Sequence, residues 1–239
     1  IGGWGSSQPN STKSGYSVSL NNAGNRIVIG STNPGQISSA RVFVLTGSSL
    51  TEAPGTATGY EWVSNESLEA RAQQSGSRWG CSVQFDSAGD RFVVGHELTE
   101  SGVESVRVFQ VSGTGWSDYG LAQVGGDIYG PTGSTAGQQY SVTINGAGDT
   151  IAFNYSTTLA ADILNVCTLT GSGYSDYGWI KEYTVRPTFL AGDGIKGAQG
   201  ATKQIRLNTA GDRFIIGAPN SYVDGVYSVG LGRVFYLND

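Results

Sequence analysis

Four segments of the chain share one arrangement of apolar and polar positions. Each opens with a run in which apolar and polar residues alternate, passes through a short polar turn, and closes with a nearly continuous apolar run. Alternation predicts a strand with one covered face, and a continuous apolar run predicts a strand covered on both faces. The four segments are Tyr16-SVSLNNAGNRIVIG, Cys81-SVQFDSAGDRFVVG, Tyr140-SVTINGAGDTIAFN and Lys203-QIRLNTAGDRFIIG.

The turn inside each segment predicts a β-hairpin. Its first residue is Asn or Asp, whose side chain can accept hydrogen bonds from the backbone N–H groups ahead of it. A glycine three residues later accepts the positive φ of a tight hairpin turn. Intervals of 65, 59 and 63 residues separate these glycines, which are Gly24, Gly89, Gly148 and Gly211.

Two further strands are predicted in most repeats. Third strands are predicted at 40–45, 106–111, 164–169 and 232–237, and more polar fourth strands at 60–63, 116–124 and 174–182. Four strands in a unit of about 60 residues predict an all-β fold, a β-propeller built from four-stranded antiparallel blades. We expect a single propeller or propeller segment over 1–239, with repeats at approximately 14–66, 79–124, 138–183 and 202–239. Divergent loops are predicted at 31–39, 96–105, 156–163 and 218–231.

The fourth predicted blade lacks an outer strand, since Asp239 directly follows its third strand. An open sheet edge is a template for pairing with another strand. The N-terminal segment could close the ring, a neighbouring chain or domain could supply the strand, or the sequence could be a fragment. The first explanation needs a strand before Ile1, so we favour a fragment or a strand supplied by a partner.

Composition narrows the function classes. The net charge of -5 comes without a Lys/Arg stripe, so nucleic-acid binding is not expected. No apolar run reaches the roughly 20 residues of a membrane helix, so membrane insertion is not expected either. The chain begins at Ile1, which indicates a removed targeting segment or a piece of a longer protein. Cys81 and Cys167 lie in strand-like apolar runs and are predicted to be buried free thiols.

The motifs at the repeat boundaries resemble those of FG-GAP repeats. Ser14-Gly-Tyr-Ser-Val18 and Trp79-Gly-Cys-Ser-Val83 resemble the opening Phe-Gly-x-Ser-Val of that family, and Arg213-Phe-Ile-Ile-Gly-Ala-Pro219 resembles its closing Gly-Ala-Pro. The third repeat departs from the pattern, with Asn154-Tyr-Ser in place of Gly-Ala-Pro. The resemblance implies an integrin alpha-like propeller, usually seven-bladed, that serves adhesion or ligand recognition on a cell or virion surface.

Calcium is the cofactor that this resemblance raises, because many FG-GAP repeats carry an Asp-x-Asp-x-Asp-Gly loop. The loops of this chain lack that series, and hard cations need several carboxylates among about six oxygen ligands. We therefore interpret the turn carboxylates as turn-capping groups and expect no cofactor. They remain weak calcium candidates, namely Asp86, Asp90, Asp149 and Asp212.

Catalytic chemistry has little support in the sequence, and we expect the chain not to be an enzyme. His96 is the only histidine and is predicted at the entry to a loop, so a Ser-His-Asp catalytic triad would have to use this residue. A carboxylate pair that cleaves glycosides needs a defined separation that loop positions do not provide. The loop carboxylates are Glu97, Glu100, Glu104, Asp118, Asp127, Asp176, Asp193 and Asp224.

The remaining candidates are surface aromatics and glycosylation sequons. Trp and Tyr near strand ends suit sugar stacking or protein contact, and the possible ligand-contact residues are Trp116, Tyr119, Tyr177 and Tyr222. N-glycosylation is possible at Asn10, Asn65 and Asn154. The favoured hypothesis is an extracellular, secreted or surface module that binds a protein or glycan ligand and assembles with further blades or neighbouring chains. The alternatives are a structural subunit assembled by strand addition at the open edge, and a carbohydrate-binding or carbohydrate-cleaving propeller.

Overall fold

A computed structural model describes residues 13–32, 39–46, 61–63, 69–71, 78–97, 105–113, 119–129, 141–156, 162–171, 178–185, 204–223 and 226–236 of the chain. Within these ranges the fold is all-β, with seventeen strands in four antiparallel sheets and no helix. No helix that could cross a membrane is found in this part of the chain. The all-β prediction is confirmed.

Sheets 1 and 2 each contain five strands. Sheet 1 has the order β1 (Lys13–Leu20), β2 (Arg26–Thr32), β3 (Ser39–Thr46) and β4 (Glu61–Val63), and β5 (Glu69–Arg71) pairs with another part of β3. Sheet 2 contains β6 (Arg78–Phe85), β7 (Arg91–Glu97) and β8 (Ser105–Ser112), and β8 pairs with both β9 (Gly120–Gln123) and β10 (Ile128–Tyr129).

Sheets 3 and 4 are smaller. Sheet 3 has the order β11 (Ser141–Ile144), β12 (Thr150–Ser156), β13 (Asp162–Thr170) and β14 (Gly178–Val185). Sheet 4 consists of β15 (Gln204–Leu207), β16 (Arg213–Val223) and β17 (Val226–Tyr236). In every sheet the first two strands form the hairpin that the sequence predicted, and the third strand pairs with the second.

One predicted loop is wrong. Residues 218–231 were expected to form a divergent connection, but β16 and β17 extend through most of this range and pair up to Val223 and Val226. The registry shifts twice along this extension, between Ala218 and Ser221 and again before Val223. The extension is a long hairpin arm, which a comparison with the shorter connections of the other repeats could not reveal.

The sheets stack in chain order, and three apolar clusters hold them together. We call the side of a sheet that faces the next sheet its forward face, and the opposite side its rear face. The forward face of sheet 1, with Val28 and Val42, packs on the rear face of sheet 2, with Phe85 and Phe92. The Phe85 and Phe92 rings meet edge to face at 5.6 Å between centroids. This arrangement is favourable for aromatic pairs.

The same type of contact recurs twice. The forward face of sheet 2 packs on the rear face of sheet 3, where Ile144 and Phe153 lie. The forward face of sheet 3, with Ala152 and Val166, packs on the rear face of sheet 4.

Cys81 is 8% and Cys167 0% exposed, and both are free thiols, so the prediction of two buried free cysteines is confirmed.

Candidate functional site

The hairpin turns are built by their leading Asn or Asp residue. Asn21 Oδ1 accepts the N–H groups of Asn25 and Arg26, both at 3.0 Å. Asp86 Oδ1 accepts those of Gly89 at 2.6 Å and Asp90 at 3.0 Å. Equivalent bonds close the turns that begin at residues 145 and 208. The predicted hydrogen bonds from the leading Asn or Asp to the backbone of its turn are confirmed, and Asp86 is the turn carboxylate that these bonds show to be a cap.

The four turns lie in one row at the same end of the sheets, because each is bonded to the next through its backbone. The Asn22 N–H donates to Ser87 O at 3.1 Å, and the Ser87 N–H donates to Gly146 O at 3.2 Å. The Gly146 N–H in turn donates to Thr209 O at 2.9 Å. We call residues 21–25, 86–90, 145–149 and 208–212 the turn row.

Side chains reinforce the turn row from sheet to sheet. Arg26 in sheet 1 donates to Gly89 O at 2.9 Å and forms an ion pair of 2.6 Å with Asp90 Oδ1. Arg91 in sheet 2 repeats the first of these bonds, donating to Gly148 O at 3.0 Å. The arginine after each of these turns therefore connects its own hairpin to the next one.

A second set of hydrogen bonds links the first strands of successive sheets. Hydroxyl oxygens on one first strand accept backbone N–H groups of the next, as Ser19 Oγ does from Phe85 at 2.9 Å. The same contact is made by Ser82 to Val142, by Ser141 to Ile205 and by Thr143 to Leu207. Sequence analysis did not identify these residues, although their alternation with apolar positions on a strand was the available signal.

The first strands and the turn row line a polar cavity of about 150 Å³ that is open to solvent. All four sheets contribute to its wall, which carries mainly hydroxyl and amide groups. Gln84 Nε2 donates to Ile144 O at 3.3 Å, while its Oε1 is buried and has no hydrogen-bond partner. The lining residues are Ser19, Leu20, Asn22, Gln84, Phe85, Asp86, Ser87, Ile144, Asn145, Gly146, Leu207, Asn208 and Thr209.

Asp86 is the carboxyl group in the cavity wall. Burial raises its pKa above the ordinary 3.8, and the neighbouring charge of Asp90 adds to this effect. Hydrogen bonds from the backbone N–H groups of Arg91, Gly89 and Asp90 act in the opposite direction without cancelling it. Because the other three turns begin with Asn, Asp86 is the only leading residue of the four turns that carries a carboxyl group.

The four calcium candidates do not come together. Asp90 binds Arg26, Asp149 Oδ1 accepts hydrogen bonds from the Asn145 and Thr150 side chains, and Asp212 Oδ1 accepts one from the Asn208 amide. Asp86 and Asp90 share one turn, and Asp149 and Asp212 each belong to another. Among the described residues no three His, Cys, Asp or Glu side chains are grouped as metal ligands.

Other predicted candidates are distributed over the fold. Tyr119 is partly buried and packs against the core between sheets 1 and 2. His96 lies within β7, paired with Trp79 and Ser105, rather than at the entry to a loop, and Asp127 forms an ion pair of 2.6 Å with Arg107. Glu97 ends β7, and Tyr222 lies in β16.

At one of the predicted positions burial excludes the predicted glycan, and ten others lie outside the described residues. Asn154 is only 6% exposed, and its Oδ1 accepts the Ser141 N–H at 3.1 Å, so the folded chain offers no room for a glycan there. The positions outside the described residues are Asn10, Asn65, Glu100, Glu104, Trp116, Asp118, Asp176, Tyr177, Asp193 and Asp224.

No family model matches the chain, and no curated protein matches it. Among solved structures, Kuenenia stuttgartiensis hydrazine synthase is similar over 96% of this chain and 64% of that chain, with 10% identity and a TM-score of 0.42. A structure from a structural and mechanistic analysis of two prolyl endopeptidases is similar over 90% of this chain and 33% of that chain, with 10% identity and a TM-score of 0.31. The chain thus spans less than two thirds of either protein, and these similarities assign it neither fold nor function.

Proposed function

We propose that the chain is a non-catalytic β-propeller module of the FG-GAP type, displayed outside the cell or on a virion, that recognises a protein or glycan ligand. The four sheets are then successive blades. The recurring contact between forward and rear faces supports this assignment, as do the turns aligned in a row. The motif resemblance supports the choice of family.

The observation that carries the recognition role is the cavity at the turn row. It is lined by all four sheets, and the polar side chains in its wall are hydroxyls, amides and a single carboxyl. Such a wall offers paired donors and acceptors to the hydroxyl groups of a sugar or to a polar peptide side chain. Its volume of about 150 Å³ suits one sugar ring or one side chain, with the rest of the ligand outside.

The roles of five described carboxylates support binding rather than catalysis. Asp86, Asp149 and Asp212 cap or brace turns, and Asp90 and Asp127 are held by arginines. A general acid or base needs a carboxyl group that can approach the reacting bond. These groups instead stabilise the turns and sheets that shape the cavity.

A glycan array followed by calorimetric titration of the strongest hit tests this proposal. Asn22→Ala and Thr209→Val change side chains that line the cavity, and we expect each to weaken binding by up to about tenfold, the effect of one lost hydrogen bond. Ser112→Ala, on an exposed strand end outside the cavity, is the control and leaves the affinity unchanged. Binding that neither cavity variant alters, or cleavage of the bound glycan, contradicts the proposal.

A second candidate function is assembly by strand addition at β17. The third strands β3, β8 and β13 each pair with a further strand, whereas β17 is the edge of sheet 4 among the described residues. An extended segment of a partner can add to such an edge through backbone hydrogen bonds. Concentration-dependent protection of β17 amides in hydrogen exchange supports strand addition, and unchanged exchange in an assembled sample rejects it.

A further inference from the structure

The exposed large apolar side chains of the described residues lie at the two ends of the stack. β1 carries three of them, and sheet 4 carries the other three. Val18 is 57% and Leu20 54% exposed on the rear face of sheet 1. Ile215 is 47% and Val234 57% exposed on the forward face of sheet 4. The remaining two are Tyr16 on β1 and Tyr236 on β17.

The same positions are buried wherever a neighbouring sheet is present. Val18 corresponds to Val83, Val142 and Ile205, which are at most 2% exposed because the preceding sheet covers them. On the forward side, Ile215 corresponds to Val28, Val93 and Ala152, and all three are 0% exposed. The two end faces are therefore the two unmatched halves of a contact that the chain makes three times.

We propose that the forward face of sheet 4 binds the rear face of sheet 1 of a second copy of this chain. A second copy is the expected partner because each of the three contacts already present joins a forward face to a rear face of this same repeat. Because the two halves lie on different surfaces, the association is heterologous and runs head to tail. It uses the broad faces of the sheets and not the β17 edge.

The polar groups at the two ends complement each other in the same way. Arg26 reaches forward to Gly89 O of the next turn, but its counterpart Arg213 has no following turn among the described residues. Its guanidinium instead lies 5.0 Å from the centre of the Tyr236 ring. In the head-to-tail contact, Arg213 takes the role of Arg26 and donates to Gly24 O of the second copy.

The backbone bonds of the turn row extend across the contact as well. Each turn of the row donates one backbone N–H to a carbonyl of the following turn, as the Asn22 N–H does to Ser87 O. Continuation of this row pairs the Thr209 N–H with Asn22 O of the second copy. On the first strand, Gln204 and Arg206 occupy the positions of the bridging residues in the earlier sheets. The amide oxygen of Gln204 can accept the Val18 N–H of the second copy, whereas Arg206 has donors only and cannot accept the Leu20 N–H.

Sedimentation velocity over a concentration series, with two complementary variants, tests the proposal. Val18→Asp damages the rear face, and Ile215→Asp damages the forward face, at side chains whose exposure allows the chain to fold. The unaltered chain is expected to gain mass with concentration, and each variant alone is expected to remain monomeric. An equimolar mixture of the two variants is expected to form a dimer and nothing larger. The Val18→Asp variant keeps an intact forward face, and the Ile215→Asp variant keeps an intact rear face, so only one contact can form.

Matched controls separate this contact from other associations. Ser112→Asp adds the same charge at an exposed position of sheet 2 and is expected to associate like the unaltered chain. Val234→Lys provides a second forward-face variant, and thermal melts check that every variant is folded. Three results overturn the proposal: a monomeric unaltered chain up to about millimolar concentration, the weak-contact regime; variants that still self-associate; or a mixture that stays monomeric.

One further result overturns the proposal. If the chain of 239 residues stays monomeric, and its end faces become covered only when further repeats are joined to it covalently, then the occupant belongs to the same chain. The outcome is independent of ligand recognition at the cavity. The contact between copies uses only backbone groups of Asn22 and Thr209, and neither Val18 nor Ile215 lines the cavity, so binding measured with the Asn22→Ala and Thr209→Val variants succeeds or fails separately.

Discussion

The side chain of Asn21 lies directly against the α-carbon of Gly89. Its Nδ2 donates to Ala88 O at 2.9 Å, and both Nδ2 and Cβ lie 2.8 Å from the point where a β-carbon on Gly89 would stand. Asp86 and Gly148 repeat this relationship one sheet further on. The turn glycine is thus required by its backbone conformation and also by the residue that caps the preceding turn.

Gly24 and Gly89 allow these two requirements to be separated. Their φ angles are +70° and +78°, but a β-carbon on Gly24 meets nothing within 4 Å. We expect Gly24→Ala to lower the free energy of unfolding by about 1–2 kcal/mol, the cost of a left-handed conformation. Gly89→Ala is expected to cost a further ~1–3 kcal/mol from overpacking against Asn21.

Urea unfolding of the two alanine variants measures the difference. Equal losses would show that Asn21 moves aside without cost. A larger loss for Gly89→Ala that disappears in the Asn21→Gly background would assign the extra cost to the contact between the two residues.

Thr143 tests the hydroxyl link between sheets 3 and 4. Its side chain is 0% exposed, and its Oγ1 accepts the Leu207 N–H at 3.0 Å. Thr143→Val keeps the shape but leaves a buried N–H without an acceptor, so we expect a loss of about 1–3 kcal/mol in the free energy of unfolding. Chemical denaturation gives the loss, and hydrogen exchange of the Leu207 amide should become faster.

Thr150→Val is the control for this substitution. The Thr150 hydroxyl donates to Asp149 Oδ1 at 3.1 Å in an exposed position, so its removal is expected to change stability by less than about 0.5 kcal/mol. Equal effects of the two valine variants would mean that the Leu207 amide finds another acceptor.

Asp86 is expected to make stability depend on pH. Burial raises its pKa above 3.8, so the folded chain binds a proton more tightly than the unfolded chain does. Below pH 3.8 both states are protonated and the group costs nothing. As the pH rises above 3.8 and through the folded pKa, the unfolded state loses its proton first and stability falls.

Asp86→Asn should remove this dependence, since Asn leads each of the other turns. We expect the variant to be more stable by about 1 kcal/mol at pH 7, because its amide can donate as that of Asn21 does. The gain should shrink towards pH 3, where the aspartic acid is protonated. Melting temperatures of both proteins at pH 3, 5 and 7 check this, and a gain that is the same at all three would rule out titration of Asp86 as its cause.

A comparison of Arg26 with Arg213 measures how much the side-chain links along the turn row contribute to the free energy of unfolding. Arg26 binds Gly89 O and Asp90, and its side chain is 16% exposed, whereas the Arg213 side chain is 55% exposed. Arg26→Gln should lower the free energy of unfolding by about 1–3 kcal/mol, since charge-assisted hydrogen bonds are lost.

Arg213→Gln should lower the free energy of unfolding by no more than ~1 kcal/mol, the size of an exposed cation–π contact. Dilute samples are needed, because association between copies would itself stabilise the folded state. Equal losses from the two glutamine variants would mean that Arg26 contributes little to the connection between turns.

The hairpins are the part of the structure that local sequence determined. Alternating and continuous apolar runs, an Asn or Asp cap and a glycine at a fixed distance are short-range signals, and all four hairpins form where they predict. The long arm of β16 and β17 was missed because its pairing, up to Val223 and Val226, extends further than the pairing in the described residues of the other repeats. The polar cavity was missed as well, since it needs first strands that are about 60 residues apart to lie side by side.

Burial of the repeated apolar positions was decided only by tertiary structure. Val18 and Val83 occupy the same place in the same local pattern, yet one is 57% and the other 2% exposed. Gly24 and Gly89 share a turn conformation, yet only one is packed against an asparagine. The sequence determines which face of each strand is apolar, but whether that face is covered depends on a neighbouring sheet, and a neighbour is a property of the stack and not of the repeat.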